Sequence, residues 1–223
     1  MKFIYEQVDA GVSAGIFSPC LECTCFCPLL AVPKPGAPEG VWRLAQDFRE
    51  LNKTTVINYF GLPDPMDMAI NMAGSEYVSV LDLTSTYWQI QIAEEDRYKT
   101  AFMLPDGRTF QNNVAPMGLN TSGMALCRFV VMEVIKELLH VCVEVYADNI
   151  FIFTKEGGLK AHLDHCREVL RRPANANMSL KPKKCHIAAC SLNIVGCRIS
   201  RDGIQVNPDK LQAIHDSPCQ RQL

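Results

Sequence analysis

Residues 141–154, V-C-V-E-V-Y-A-D-N-I-F-I-F-T, decide the fold of this chain. Two apolar runs that are rich in β-branched and aromatic residues flank a short polar break, A-D-N at 147–149. Each run predicts a β-strand, and the break predicts a tight turn, because Asp and Asn tolerate turn geometry. The stretch therefore indicates a β-hairpin that carries the Asp148 carboxylate at its tip. A carboxylate beside two apolar strands needs a partner of opposite charge, and a metal ion is the natural candidate.

Composition allows a substantial core. The chain has 223 residues, of which 48% are hydrophobic, enough for one large domain or two small ones. Its formal net charge of -2 argues against a uniformly basic nucleic-acid binder. Residues 155–201 nevertheless hold ten Lys or Arg and only three Asp or Glu, as a surface that follows phosphates would. A solvated helix face gives the same pattern, and charge alone favours that simpler interpretation.

The sequence indicates an intracellular protein. Lys2, Glu6 and Asp9 interrupt any apolar stretch that could serve as a signal peptide. No apolar run approaches the ~18–20 residues that cross a bilayer. We therefore expect a cytoplasmic or nuclear chain that is not secreted and meets no membrane. Its 11 cysteines are then mostly reduced thiols.

Hydrophobic periodicity predicts the elements around the hairpin. Residues 66–73 and 124–139 carry apolar side chains at helical spacing. Residues 159–170 form a third helix candidate, which Pro173 ends or kinks. Residues 77–82, Y-V-S-V-L-D, read as a strand that ends on an aspartate.

The remaining segments are shorter. An Asp-Gly pair at 106–107 predicts a hairpin turn. Residues 42–53 begin like a strand and end in a polar turn, and residues 87–92 continue as strand or irregular structure. Residues 1–17 hold a short element that leads into a turn. The other predicted strands are residues 99–103, 110–114, 191–200 and 203–206.

Two clusters have the residue types of metal sites. Four cysteines follow the spacing C-x2-C-x-C-x-C, but C-x-C pairs fit one tetrahedral zinc site poorly and no second pair follows, so ordinary strand cysteines are favoured. Two histidines and a cysteine share one face of the third helix, and without a fourth ligand they are better explained as core and edge residues. The clusters are Cys20, Cys23, Cys25 and Cys27, and His162, His165 and Cys166.

Asp82 and Asp148 are the pair of carboxylates with most chemical promise. Each adjoins an apolar strand, so both could converge on one edge of a sheet. Two-metal phosphoryl transfer needs such a pair, with ions ~3.5–4 Å apart, and carboxylate oxygens suit Mg²⁺. Spacing alone leaves this open, because aspartates at strand ends are common.

Longer blocks of sequence occur in a recognisable order. The blocks are W-R-x-x-x-D-F-R-E-L-N-K from Trp42, V-L-D-L-T-S-T-Y-W-Q-I from Val80, K-T-A-F from Lys99, P-x-G-L from Pro116, Y-A-D-N from Tyr146, L-K-P-K-K-C from Leu180 and V-G-C-R-I-S from Val195. With these blocks, the chain resembles over residues 15–214 the reverse transcriptase domain of long-terminal-repeat retrotransposons and endogenous retroviruses, closest to the gypsy type.

The resemblance implies an α/β (α+β) polymerase fold, with an antiparallel palm sheet backed by helices and a fingers subdomain in two pieces. Residues 1–60 and 93–114 would form the fingers. Residues 61–92 and 115–200 would form the palm with the catalytic hairpin, and residues 201–223 the start of a thumb or a tail. The partners would be an RNA or DNA template with a primer, and deoxynucleoside triphosphates.

The resemblance also implies catalytic roles. Asp82 and Asp148 would bind two Mg²⁺ ions, with Mn²⁺ as an alternative, and the Leu83 carbonyl would be a further ligand. Asn149 completes the catalytic hairpin. Tyr87 would screen the 2′-hydroxyl of the sugar.

Other positions would contact substrates. Arg43 would contact the incoming triphosphate, and Met117 would lie beside the nucleotide pocket. Lys184 would lie near the leaving pyrophosphate, with Lys181 and Lys183 as competitors for that role. The primer would meet two residues of the last block, Gly196 and Cys197.

Departures from the family pattern predict impaired activity. Asn149 replaces the second hairpin aspartate and removes a negative charge from the metal site. Met117 stands where an aromatic residue or Gln is usual, Gly123 replaces a proline, and Pro173 lies in a helical stretch. With no thumb or ribonuclease H domain, the chain reads as a truncated or decayed copy. The alternatives are a non-catalytic remnant that binds nucleic acid or a partner through residues 155–201, and a fragment without selected function.

Overall fold

The computed structural model describes two compact units. It covers residues 2–206 apart from Thr24, Pro35, Leu62, Ser85 and Val195, and for Thr86 only the backbone. The first unit joins Met1–Phe60 to Ser85–Leu126, and the second joins Gly61–Thr84 to Cys127–Leu223. The fingers and palm boundaries given above stay a prediction.

The described residues form five helices and twelve strands besides short 3₁₀ and π turns. In chain order they are α1 (Lys2–Ser13), β1 (Phe17–Pro19), β2 (Leu29–Pro33), β3 (Trp42–Gln46), α2 (Arg49–Thr54), α3 (Pro65–Met72), β4 (Tyr77–Asp82), β5 (Phe102–Met103), β6 (Thr109–Asn112), α4 (Asn120–Phe129), β7 (Val143–Tyr146), β8 (Asn149–Thr154), α5 (Gly158–Asn175), β9 (His186–Ala189), β10 (Ser191–Ile194), β11 (Cys197–Ser200) and β12 (Gly203–Val206). No helix in the described part is long and apolar enough to cross a membrane.

The first unit holds two small antiparallel sheets, β1-β6-β5 and β2-β3. Its core joins Val8 of α1 to Phe102, Leu104 and Phe110. The predicted Asp-Gly hairpin is confirmed, and Gly107 supplies the positive φ of +87° that its turn requires. Residues 1–17, expected to hold only a short element, contain the 12-residue helix α1.

The second unit is built on a four-stranded antiparallel sheet in the order β7-β8-β4-β9. Side chains of β4 alternate between its two faces. Val78 and Val80 pack against Met72 of α3 and Ile199 of β11, whereas Ser79 meets α5 on the opposite face through a hydrogen bond to His162. The predicted antiparallel sheet backed by helices is therefore confirmed.

Strand β4 has the same bounds as predicted and lies between two neighbours. It pairs with β8 in six consecutive positions, from Tyr77 opposite Thr154 to Asp82 opposite Asn149. Its pairing with β9 shifts register between Val78 and Val80. Strand β9 was not predicted, because it has only four residues and is largely exposed.

Three helix predictions need correction. Residues 49–54 form α2 and not the expected polar turn. The helix predicted over residues 124–139 begins earlier and continues as a π-turn at Val130–Val134, because the β-branched run is a poor α-helix former. Pro173 was expected to end or kink α5, and it does not end the helix, which includes Pro173 and continues to Asn175. The proline removes one N–H donor from the helix, and its ring is buried.

Two further expectations also change. The cysteines at 20–27 follow β1 and precede β2, so they are loop residues and not strand residues. Residues 191–206 form three strands in the order β10-β11-β12, where two segments were predicted. Residues 87–92 prove irregular, with a 3₁₀ turn at Thr86–Gln89.

Candidate active site

Backbone pairing brings the two aspartates to the same end of the second unit's sheet. Asp82 is the last residue of β4, and its partner in β8 is Asn149, the residue after Asp148. The pairing continues past the strand, since the Leu83 N–H donates to the Asp148 carbonyl at 3.2 Å. Residues opposite each other in antiparallel strands lie ~4.5–5.5 Å apart at Cα. The predicted convergence at one strand end is therefore present in the backbone.

A two-residue loop presents Asp148. Tyr146 pairs with Asn149, and Ala147 and Asp148 connect them. Ala147 has a φ of +54°, as at the first loop position of a type II′ turn, where glycine is preferred. The Cys127 thiol of α4 donates to the Ala147 carbonyl at 3.3 Å and so ties the loop to α4. A non-glycine residue in this conformation is strained, and such strain is typical of functional loops.

Asp82 is buried and pairs with a lysine. Only 12% of its side chain is exposed, and the Lys184 ammonium donates to Asp82 Oδ2 at 3.2 Å. The Lys181 N–H donates to the Asp82 carbonyl at 2.8 Å. Of the three lysines that competed for a role here, Lys184 is the one whose ammonium reaches this carboxylate.

Asp148 is half-buried and has a neutral partner. Its Oδ1 accepts a hydrogen bond from the Asn149 side-chain amide at 3.1 Å. Burial raises the pKa of the nearby Cys127 thiol, and the negative charge of Asp148 raises it further. The thiol therefore stays protonated and acts as a hydrogen-bond donor to the loop.

The donors at this strand end suit a hard cation that brings its own ligands. Asp82 Oδ1 and Asp148 Oδ2 accept no hydrogen bond from the described residues. Within that part of the chain, no three His, Cys, Asp or Glu side chains are grouped to enclose a metal ion. Mg²⁺ keeps several waters and takes one or two protein carboxylates together with substrate phosphates. The two aspartates fit that mode of binding and do not form a closed all-protein site.

The first unit brings Arg43 and Met117 together. Both side chains are exposed, and Arg43 Nη1 lies 4.0 Å from Met117 Sδ. The loop that carries Met117 is held by Asn52 of α2. The Asn52 amide donates to the Gly118 carbonyl at 2.9 Å, and its oxygen accepts from the Asn120 N–H at 3.0 Å. This role of Asn52 was not predicted, although Asn52 lies in the block from Trp42 that is quoted above.

Tyr87 also lies in the first unit, in the 3₁₀ turn, where it is half-buried. Its hydroxyl lies 3.8 Å from the point where a Cβ on Gly123 would be. That is an ordinary van der Waals distance, so packing does not require glycine at this position of α4. In the second unit, Gly196 has a φ of +90° between β10 and β11, and Cys197 begins β11.

Arg49 is engaged within the first unit. Its guanidinium donates to both oxygens of Asp47, at 2.9 Å to Oδ1 and 2.5 Å to Oδ2. These hydrogen bonds lower the pKa of Asp47 to about 2. The pair lies on the wall of a cavity of about 540 Å³ that Cys25, Cys27 and Lys99 also line.

Other predicted clusters have structural explanations. His162 hydrogen-bonds with Ser79 Oγ at 2.7 Å and with Thr154 Oγ1 at 2.9 Å, in a fully buried network. Along α5 the arginines of the basic segment are paired with carboxylates. The ion pairs are Arg167–Asp164, Arg171–Glu168, Arg172–Glu168 and Arg172–Glu137. The free positive charge is therefore smaller than the sequence suggests.

Comparisons with known proteins identify the family and the fold. The family model "Reverse transcriptase (RNA-dependent DNA polymerase)" matches residues 32–221. The Retrovirus-related Pol polyprotein from transposon opus of Drosophila melanogaster is 28% identical over 217 residues, 96% of this chain and 21% of that protein. The Transposon Tf2-7 polyprotein of Schizosaccharomyces pombe is 30% identical over 216 residues, 95% of this chain and 16% of that protein. The chain thus spans about a fifth or less of these relatives.

Solved structures with the same fold include two foamy viral protease-reverse transcriptases. The one in complex with double-stranded DNA has a TM-score of 0.83 and 23% identity, and covers 99% of this chain and 37% of that one. The one in complex with an RNA/DNA hybrid has a TM-score of 0.81 and 22% identity, with 97% and 28% covered.

Proposed function

The chain belongs to the reverse transcriptase (RNA-dependent DNA polymerase) family, and from this premise we propose that it catalyses nucleotidyl transfer at Asp82 and Asp148. The observation that supports the proposal most is the pairing of β4 with the hairpin, which places both aspartates at one strand end. Its relatives are retrotransposon polyproteins, and its fold is the palm-and-fingers fold. The reaction would join the α-phosphate of a deoxynucleotide to a primer 3′-hydroxyl.

Asp82 and Asp148 would hold Mg²⁺ or Mn²⁺, with the Leu83 carbonyl as a further ligand. Two such ions, when bound, make the attacking hydroxyl more nucleophilic and stabilise charge on the phosphates. The support is chemical, since both side chains offer a carboxylate oxygen without a hydrogen-bond donor from the described chain. The aspartates orient the reacting groups, and their partial burial limits competition from water.

Positively charged side chains would bind the phosphates of the nucleotide and of the leaving pyrophosphate. Arg43 is exposed and would bind the triphosphate, with Met117 beside it at the nucleotide. Lys184 would neutralise the leaving pyrophosphate, because its ammonium already lies at Asp82. Tyr87 would exclude the ribose 2′-hydroxyl.

The nucleic acid would be a primed RNA or DNA template. Gly196 and Cys197 would support the primer, and the positive φ of Gly196 suits a turn that comes close to another backbone. Asn149 contributes an amide where a second carboxylate would add negative charge, so we propose that catalysis is impaired and not lost.

Primer extension tests the proposal. The whole chain is incubated with primed RNA or DNA, deoxynucleotides and Mg²⁺ or Mn²⁺, beside Asp82→Asn and the control Asp67→Asn, which changes an exposed aspartate of α3. We expect extension by the parent and the control and a loss of at least about 100-fold in Asp82→Asn. Equal extension by all three would refute the assignment.

A second outcome would favour a non-catalytic nucleic-acid binder. Lys181 and Lys183 are exposed and, among the described residues, form no ion pair. Binding of primer-template that weakens steeply with salt, without extension in either metal, would favour that remnant function.

A further inference from the structure

The Lys184–Asp82 ion pair joins two groups of very different exposure. The Asp82 side chain is 12% exposed and that of Lys184 is 58% exposed, with the ammonium 3.2 Å from Asp82 Oδ2. A buried carboxylate needs a cation close by. An exposed lysine can leave at little cost, since it regains hydration and rotamer freedom. The pair is therefore asymmetric, with a fixed anion and a replaceable cation.

The backbone places this lysine beside the aspartate. Leu83 forms a bridge with Leu180, and the Lys181 N–H donates to the Asp82 carbonyl at 2.8 Å. The 3₁₀ turn Pro182–Lys184 follows at once, and the Lys184 N–H donates to the Lys181 carbonyl at 2.9 Å. The end of β4 and the start of this turn are thus tied together, so Lys184 keeps its ammonium within reach of Asp82.

We infer that Lys184 is the resident counter-ion of Asp82 in the metal-free protein and that a divalent cation has to displace it. The inference rests on the proposed function, because it concerns the same carboxylate. Among the described residues, the Asp148 carboxylate accepts a hydrogen bond from the neutral Asn149 amide alone, so within that part of the chain Lys184 is the charged competitor at this pair of aspartates. Lys184 protects a buried charge when no metal is bound, and it lowers metal affinity.

Metal titration tests the inference without any need for catalysis. Binding of Mn²⁺ to the whole chain is measured by calorimetry and by the electron paramagnetic resonance signal of free Mn²⁺. Lys184→Met is expected to bind Mn²⁺ about tenfold more tightly than the parent, because a unit positive charge next to the ligand oxygen is gone. Lys183→Met, the matched control in the same turn with the same change in net charge, is expected to stay within about twofold.

The variants separate failure of this inference from failure of the proposed function. Asp82→Asn is expected to lose the binding, and Lys184→Met added to it should then have no effect, as a double-mutant cycle requires. Binding that depends on Asp82 but is unchanged or weaker in Lys184→Met overturns the inference alone. Binding that ignores Asp82 overturns the proposed function as well.

A second measurement uses the unaltered chain, in case Lys184→Met does not fold. Acetylation of each lysine by a water-soluble ester is followed by mass spectrometry with and without Mg²⁺. Freed from Asp82, Lys184 is expected to react about threefold faster when Mg²⁺ is present, since its nitrogen is no longer held against the carboxylate and is more accessible to the reagent. Lys183 should not change. Equal acetylation of Lys184 in both conditions contradicts displacement.

Discussion

Strands β4 and β8 carry two groups of buried or half-buried polar side chains that differ in how fully their hydrogen bonds are satisfied. In the middle of β4, Ser79 shares a buried hydrogen-bond network with His162 and Thr154. Each of these three side chains is hydrogen-bonded. At the end of the same strand, Asp82 pairs with the exposed Lys184, and in the adjoining hairpin loop Asp148 accepts from the Asn149 amide; among the described residues these side chains have no other partner. A satisfied network rigidifies a core, whereas incompletely satisfied carboxylates are available for a ligand. We refer to the first group as the structural cluster and to Asp82 and Asp148, the proposed metal site, as the functional cluster.

The largest expected effect is at the structural cluster. His162→Leu removes one hydrogen-bond partner from each of two buried hydroxyls and leaves Ser79 with the Ala188 N–H and Thr154 with His165. Because a polar network in the core is broken, the free energy of unfolding should fall by about 3 kcal/mol. Urea denaturation measures it. His186→Leu, which changes an exposed histidine of β9, should change the free energy of unfolding by less than about 0.5 kcal/mol. Similar losses in both variants would remove the distinction between the two clusters.

At the functional cluster the effect should appear in rate and not in stability. Asn149→Asp places a second carboxylate beside Asp148, and we expect primer extension in Mg²⁺ to rise by about 100-fold. Asn193→Asp adds the same charge at an exposed position of β10 and should leave the rate unchanged. An Asn149→Asp chain that extends no faster than its parent would show that Asn149 is not the defect.

Acid should act on the structural cluster first. Burial lowers the pKa of His162 below its usual 6.5, and the neighbouring His165 lowers it further. Between the folded and the unfolded pKa, His162 is protonated in the unfolded chain but not in the folded chain. The contribution of His162 to the free energy of unfolding is fully present above the unfolded pKa of 6.5. This contribution is lost as the pH falls from there through the folded pKa, by at most about 1.4 kcal/mol per pH unit for one proton.

Urea denaturation at pH 7 and pH 5.5 measures this effect. The loss of free energy of unfolding between pH 7 and pH 5.5 should be smaller in His162→Gln than in the parent, because glutamine cannot take up the proton. An equal loss in the parent and in His162→Gln would mean that another group titrates.

The smallest effect concerns the strained loop. Ala147→Gly relieves a positive φ that costs an alanine ~1–2 kcal/mol, and the added flexibility of the unfolded chain returns part of that. We expect a net gain of about 0.5 kcal/mol in the free energy of unfolding. Ala161→Gly, inside α5, should instead lose about 1 kcal/mol. A loss in both variants would mean that the loop is not strained.

Patterns that repeat along one segment predicted the fold well. The strands β4, β7 and β8 were predicted from their β-branched and aromatic residues, because these residues favour pleated, buried positions. The convergence of Asp82 and Asp148 followed from the order of those strands together with the family resemblance.

Contacts between distant segments could not be predicted from local pattern. Nothing around His162 indicates that its partners are Ser79 and Thr154, and the ion pair of Lys184 with Asp82 depends on a bridge to Leu180. α2 was missed because R-E-L-N-K-T is short and polar, and its helix is held by tertiary contacts such as the Asn52 clamp.

The confinement of β4 between two strands limits how this chain can change. Because side chains alternate in a strand, a shift of one residue would turn Asp82 to the opposite face, and six consecutive pairs with β8 fix the register on that side. Gaining or losing one codon within Tyr77–Asp82 would therefore turn Asp82 away from Asp148 unless a bulge absorbed the change. The missing charge at position 149 is different, since the single substitution Asn149→Asp supplies it.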